Sequence, residues 1–326
     1  MRAVVLRSHG GPEVLAVEEV PVPETGPEDV LVRVAASAMN RADLLQRMGL
    51  YPDPRGATPE IPGLEFSGTV ERVGSRVRMW REGDRVMGIE AGGGQAEFVA
   101  THERQLLRVP DSVDLVDAAA IPEVYLTAWD ALVVQGGLTS GRWALVHAGA
   151  SGVGTAAIQI TRAVGARVAV TCSAGKAELC RSLGADLVLE RSPHPWLSDA
   201  QAAVPGGFDV VLDVVGGEEI DRNLQAVAQR GAIVQVGTMA GARVPVNVGL
   251  LMAKRCRWVG TTLRARPIEE KVAVTRRFAA EMLPLFDDAR LRPVIDSRYP
   301  IEKIADAHRH MEGNANAGKI LLVVGA

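Results

Sequence analysis

The chain has 326 residues, 47% of them hydrophobic and 23% charged, a globular composition too long for a single core and indicative of two domains. A net charge of −3 without runs of like sign argues against nucleic acid or an anionic membrane surface as partner, and no apolar run approaches the ~18 residues of a spanning helix. The three cysteines, Cys172, Cys180 and Cys256, show neither metal-ligand spacing nor a disulfide framework, and residues 1–7 are too short and too charged for a signal peptide, so a cytoplasmic location is expected.

Residues 1 to 110 read mainly as short strands, at 3–6, 15–20, 30–38, 67–73, 85–89 and 95–100, separated by glycine and proline turns. Closely spaced strands with such punctuation predict a β-rich, barrel-like domain. One short helix interrupts it at 41–48, with Asn40 as its N-cap, followed by the proline-laden loop 49–54. A further helix is predicted at 124–134. Six apolar runs then follow, at 143–147, 167–171, 187–190, 208–214, 232–236 and 256–261, with helical or loop segments between them. This is the pattern of a doubly wound parallel sheet, whose ligand crevice lies at the carboxyl ends of the strands. A long helix at 268–286 precedes a strand, helix and strand at 293–299, 301–311 and 318–324, which are expected to return to the first domain.

Within the sheet, residues 143–171 form a strand, a glycine turn, a helix and a second strand, the unit whose helix N-terminus receives a dinucleotide pyrophosphate. Gly149 and Gly154 match the first and third glycines of the fingerprint, while Ser151 holds the second place; Ser151, Gly152, Val153 and Gly154 are the pyrophosphate candidates. An NAD site would carry Asp or Glu at the end of the second strand. The chain instead reads Thr171-Cys172-Ser173-Ala174-Gly175-Lys176. Ser173 and Lys176 offer a hydroxyl and a cation for a 2′-phosphate, so NADPH is expected over NADH; the plain alternative is a serine N-cap followed by a solvated lysine.

Asn40-Arg41-Ala42-Asp43-Leu44 with Tyr51, Pro62-Gly63-Leu64-Glu65-Phe66-Ser67-Gly68, Ala119-Ala120-Ile121-Pro122-Glu123, Leu126-Thr127-Ala128-Trp129, the stretch 147–159 and Gly318-Lys319-Ile320 together carry a family likeness. The chain resembles, nearly end to end, the zinc-free quinone oxidoreductases of the medium-chain dehydrogenase/reductase superfamily. The likeness is to the branch of ζ-crystallin relatives and the tumour-suppressor-inducible quinone oxidoreductase. It implies an α/β architecture with a GroES-like catalytic domain at 1–123 and 265–326, a Rossmann domain at 124–264, NADPH in the cleft between them, and a homodimer. Zinc-dependent relatives carry cysteine where Asn40 stands and histidine in a Gly-His-Glu segment that here reads Gly63-Leu64-Glu65, so no metal is expected.

The resemblance also implies roles. Asn40 is an amide near the nicotinamide and substrate, or only a helix cap; Tyr51 lies over the nicotinamide, where its ring sandwiches a flat quinone, or is loop packing. Thr127 faces the nicotinamide or its ribose, and Gly237 and Leu263 supply backbone contacts. Lys319 could reach the adenine-ribose end, although a solvated lysine is the plainer reading. Many relatives carry Asn-Tyr-Arg at the end of the third strand, where this chain has Leu189-Glu190-Arg191: Arg191 would favour a 2′-phosphate and Glu190 would oppose it.

Acid strength points to the acceptor. Reduction of a ketone must protonate an alkoxide whose pKa is near that of water, about 15.7, whereas a quinone yields a phenolate near 10. The difference of roughly 6 units is worth about 8 kcal/mol, which favours a quinone for a metal-free site. Reduction of an activated alkene, an enone or enal, is the alternative activity, and an NADPH-binding structural or RNA-binding crystallin-like protein is the non-enzymatic one.

Overall fold

A computed structural model of the chain describes residues 1–54, 56, 60–191 and 196–325. It divides into two units, Met1–Leu126 with Leu263–Ala326, and Thr127–Thr262. The first unit opens with the antiparallel pair β1 (Arg2–Leu6) and β2 (Leu15–Glu19). Then come β3 (Asp29–Ala38), α1 (Arg41–Arg47), β4 (Glu65–Val73), β5 (Arg85–Ile89), β6 (Phe98–His102) and β7 (Leu106–Arg108). β3 pairs with β4 and β6, β4 with β5 and β5 with β7, all antiparallel. The strand expected at 95–100 is displaced to 98–102, and β7 was not anticipated, because three residues are too few to display an alternation. α2 (Pro122–Trp129) carries the chain across the division between the units.

The second unit contains β8 (Trp143–Val146), α3 (Gly152–Ala163), β9 (Arg167–Cys172), α4 (Ala177–Ser182), β10 (Leu187–Glu190), α5 (Trp196–Ala203), β11 (Phe208–Asp213), α6 (Glu219–Ala226), β12 (Val227–Gln235), α7 (Val248–Lys254) and β13 (Arg257–Gly260). Its strands lie in the order β10-β9-β8-β11-β12-β13 and all pair in parallel. That is the doubly wound arrangement of two mononucleotide halves. The central strands read as unbroken apolar runs because helices cover both faces: Ala144, Leu145, Val146, Val168, Ala169 and Val170 are fully buried.

The closing segment supplies α8 (Ile268–Glu281), α9 (Pro284–Asp287), β14 (Ile295–Pro300), α10 (Ile304–Glu312) and β15 (Lys319–Val323). The single helix expected at 268–286 is therefore two. Pro284 lacks an N–H and its ring excludes the preceding turn, so α8 ends before it and α9 starts on it. As expected, this segment returns to the first unit: β15 pairs antiparallel with β3 and parallel with β14. Ile304, Met311, Ile320 and Leu322 join Val32, Val34 and Phe66 in one core.

α10 buries Ile304, Ala307, His308 and Met311, a stripe at helical spacing with one titratable member. His308 Nδ1 lies 3.4 Å from Arg47 Nη1, and the buried Arg47 also donates to the carbonyl of Gly10 at 3.0 Å and pairs with Glu312. Burial, and then the Arg47 guanidinium, push the imidazole pKa down to about 3 from 6.5. The folded chain therefore stays unprotonated where the unfolded chain takes up a proton, and stability is lost as pH falls from 6.5 towards 3. At pH 4.5 this one group should lower stability by about 2–3 kcal/mol relative to pH 7.5. Asp43, raised to about 6 from 3.8, acts oppositely: its contribution is full below 3.8 and is lost as pH rises through 6. The difference between wild type and His308→Gln in urea unfolding at the two pH values isolates the histidine. Identical pH slopes for the two proteins would refute the assignment.

Candidate active site

In the first unit, β3 runs into α1 through Asn40, which has the extended backbone of an N-cap (φ −126°, ψ 152°). Its backbone N–H donates to Asp43 Oδ2 at 2.7 Å. The side chain of Asn40 turns elsewhere: Nδ2 donates to Glu65 Oε1 at 2.9 Å and to the Ala38 carbonyl at 3.2 Å, while Oδ1 accepts from Lys319 Nζ at 2.7 Å. Both amide donors are thus engaged, and what remains to Asn40 is an acceptor lone pair. Lys319 Nζ also donates to the Met39 carbonyl at 2.6 Å and pairs with Glu65 Oε1 at 2.7 Å, and Glu65 Oε2 accepts from the Glu123 N–H at 2.8 Å. Lys319 is 3% exposed and Glu65 fully buried. The solvated lysine, and the lysine reaching for adenine ribose, are both corrected: the pairing of β15 with β3 carries Lys319 to Asn40, and its three N–H donors have protein acceptors there. Burial raises the Asp43 carboxyl to about 6, a shift restrained by the Asn40 N–H and the Lys319 ammonium.

Tyr51 is half-buried in the loop after α1. Burial raises its phenol pKa, against the opposing pull of Arg264, with Glu123 adding to the rise, so the hydroxyl is neutral at physiological pH. The Arg264 guanidinium lies over the Tyr51 ring, 4.7 Å from its centroid. No sequence pattern singled Arg264 out.

In the second unit, Ala148 adopts a left-handed conformation (φ 55°) at the start of the glycine turn, and Gly149 N–H donates to the Thr171 carbonyl at 2.9 Å. A Cβ on Gly154 would lie 2.3 Å from the Ala148 carbonyl oxygen. Ser151 caps α3, its hydroxyl accepting from the Gly154 N–H at 3.0 Å. The N–H groups of Gly152 and Val153 have no acceptor within the helix and sit at its positive end, an arrangement suited to a pyrophosphate.

Ser173 is exposed and makes no capping bond at the short turn it opens, so the plain reading of a serine cap is not what the side chain does. Lys176 is partly buried on that turn. Arg191 and Glu190 are both exposed, and the Arg191 N–H donates to the Cys172 carbonyl at 3.0 Å, which sets the ends of β9 and β10 side by side. Thr127 is 6% exposed on α2. Gly237 follows β12, where a Cβ would meet the Val214 carbonyl at 2.8 Å. Leu263, expected with the nucleotide-binding domain, is half-buried and groups with the first unit.

Sequence reasoning also passed over a buried network under the glycine turn. His147 contacts Thr171 Oγ1 through Nδ1 at 2.9 Å and Asn223 Oδ1 through Nε2 at 2.7 Å; Asn223 Nδ2 donates to Asp213 Oδ2 at 2.9 Å. Asp213 Oδ1 accepts from the N–H groups of Val215 and Gly216. Because the Asn223 oxygen is the acceptor, Nε2 carries the imidazole proton. The network ties together the carboxyl ends of β8, β9 and β11, the edge where the dinucleotide motif lies.

Residues 26–111 match the alcohol dehydrogenase GroES-like domain family, and residues 183–322 the zinc-binding dehydrogenase family. The quinone oxidoreductase of Lama guanicoe is 33% identical over 99% of this chain and 98% of its own length. The chain belongs to the medium-chain dehydrogenase/reductase superfamily, among its quinone oxidoreductase-like members. The synaptic vesicle membrane protein VAT-1 homolog of Rattus norvegicus is 32% identical over 100% of this chain and 84% of its own length. Among solved structures, that of Escherichia coli quinone oxidoreductase complexed with NADPH is similar with a TM-score of 0.90, at 27% identity, over 99% of this chain and 100% of the other. Members of the superfamily are oxidoreductases that work with a nicotinamide dinucleotide on small molecules, and this chain is one of them. Among the described residues no helix is long and apolar enough to cross a membrane.

Proposed function

We propose that the protein reduces quinones with NADPH and without a metal. The observation that carries this reading is the Lys319–Asn40–Glu65 cluster. By resemblance, zinc-dependent relatives have a cysteine at Asn40 and a histidine at Leu64. Here an amide bonded to a buried ammonium takes the first place and an apolar side chain, 4% exposed, the second. Neither is a zinc ligand, and among the described residues no group of three or more His, Cys, Asp or Glu could hold an ion.

The chain's own groups suit the dinucleotide. Gly152 and Val153 would hold its pyrophosphate through backbone N–H groups, and Ser173, Lys176 and Arg191 would meet a 2′-phosphate at a strand end that carries no acid at position 173. When bound, the reduced nicotinamide supplies the hydride. A quinone that accepts it becomes a hydroquinone anion, a weak enough base to be protonated by water. Tyr51 offers a neutral ring on which a flat acceptor stacks, while Asn40, both of whose donors are engaged, acts by holding Lys319.

NADPH oxidation on adding ortho- and para-quinones, with one enone as comparison, tests the reading. Quinone turnover is expected, Tyr51→Phe retaining most of it and Tyr51→Ala losing much of it. In the same assay Lys176→Ala should weaken NADPH by about 10- to 100-fold, as for one charged hydrogen bond of roughly 1.5–3 kcal/mol, and leave NADH nearly unchanged. Brisk enone reduction without quinone turnover would transfer the assignment to an alkene reductase, and equal losses for both cofactors would remove the 2′-phosphate role of Lys176.

We further propose a homodimer built on β13, the edge strand of the parallel sheet, where Trp258 is 39% exposed. Sedimentation at micromolar concentration should give twice the chain mass; a monomer would overturn this. The cysteines are free thiols, which suits a reducing compartment such as the cytoplasm.

A further inference from the structure

Arg264 has a place in the first unit that the reaction as written leaves unused. It is 5% exposed, and each of its three side-chain nitrogens has an acceptor. Nε donates to the Ala91 carbonyl at 2.7 Å, Nη1 to the Tyr51 carbonyl at 2.9 Å and Nη2 to Gln46 Oε1 at 2.9 Å. These partners stand 173, 213 and 218 positions away, on the turn after β5, on the loop after α1 and on α1 itself. Gln46 passes the tie onward, donating through Nε2 to Glu60 Oε2 at 2.7 Å. Glu60 is bridged to Leu6. The loop that carries Tyr51 is thus anchored before, at and after the tyrosine, and the same guanidinium covers one face of the ring at 4.7 Å.

The residue type matters here. A guanidinium is a planar fork whose separate N–H groups can reach three carbonyl-type acceptors while its flat face lies on an aromatic ring; an ammonium is a point charge that cannot do both. A cation lying on one face of a ring leaves the other face for a flat ligand, and it sits behind that ligand as negative charge develops on it.

We propose that Arg264 is a positioning residue for acceptor reduction that acts through Tyr51, fixing the ring in one orientation and presenting its opposite face, backed by positive charge, to an acceptor that becomes an anion. The inference rests on the quinone-reductase reading and adds to it a specificity: flat acceptors whose reduced form is an anion should depend on Arg264 most.

A double-mutant cycle tests it. Arg264→Gln should lower kcat/KM for quinones by about 30-fold or more in the wild-type background and by less than about 3-fold in Tyr51→Ala, because the residue it acts through is then gone. Arg264→Lys should fall between, keeping charge and losing the fork. An activity-independent readout comes from carbon-13 labelling of the tyrosine rings, of which there are three in the chain. The Tyr51 signal, assigned with Tyr51→Phe, should shift and show ring averaging in Arg264→Gln and in Arg264→Lys, while Tyr125 and Tyr299 stay in place and report that the fold is intact. Equal losses in both backgrounds, or a Tyr51 signal unmoved in both variants, would overturn the proposal and leave the functional reading standing. If the wild type turned over neither acceptor class, the functional reading would fail and the acceptor role of Arg264 with it, and the ring signals would still decide whether Arg264 positions Tyr51.

Discussion

Replacing Lys319 by methionine is expected to destabilise the protein by about 3–5 kcal/mol, the usual loss when one partner of a buried ion pair is removed. The substitution strips the ammonium from Glu65, which is fully buried, and leaves that carboxylate with the Asn40 amide and the Glu123 N–H alone. A second change, Glu65→Gln, removes the stranded charge, and the double variant should recover a large part of the loss. Urea unfolding of the two single variants and the double variant at pH 7.5 measures the cycle. A surface lysine changes stability by no more than about 0.5 kcal/mol when replaced. A loss of that size for Lys319→Met would mean that the ammonium is not part of a buried cluster.

Gly154→Ala should abolish useful dinucleotide binding, weakening NADPH by about 100-fold or more, or roughly 2.7 kcal/mol. The added Cβ would lie 2.3 Å from the Ala148 carbonyl oxygen and 2.6 Å from both the carbonyl carbon and oxygen of Gly149. All three are backbone atoms, so no rotamer change relieves the overlap, and the turn that presents Gly152 and Val153 must move. Gly175→Ala is the control. It lies beside Ser173 and Lys176, yet a Cβ there meets nothing within 4 Å, so affinity should be nearly unchanged. Isothermal titration with NADPH, alongside circular dichroism to show that both variants fold, separates the two cases. Equal affinities for the two variants would mean that the tight packing of the turn plays no part in binding.

Much of this molecule was legible in the sequence. The central parallel strands β8, β9 and β11 are runs buried on both faces, so each shows itself as a short apolar segment without any knowledge of its neighbours. The turn at Gly149–Gly154 is also local: its strand, its glycines and its helix are contiguous, and the capping serine lies within it. Local rules failed where an element was too short to show a period, as in β7, or where a single proline outranked a helical pattern, as at Pro284.

Tertiary structure alone decided the partners of the charged side chains. Lys319 looks like a solvated lysine at a strand start until β15 pairs with β3 and brings it to an asparagine 279 positions away. Arg264 is one arginine among many until its nitrogens meet Gln46, Tyr51 and Ala91. His147 ends a strand unremarkably until Asn223 and Asp213 close in beneath it. Hydrophobic periodicity is a property of neighbouring residues, because backbone geometry repeats every two or 3.6 positions and turns burial into a local pattern. A charge has no such period. Its energy depends on distance through space and on the water removed around it, and both are set only when segments remote in the chain pack against one another.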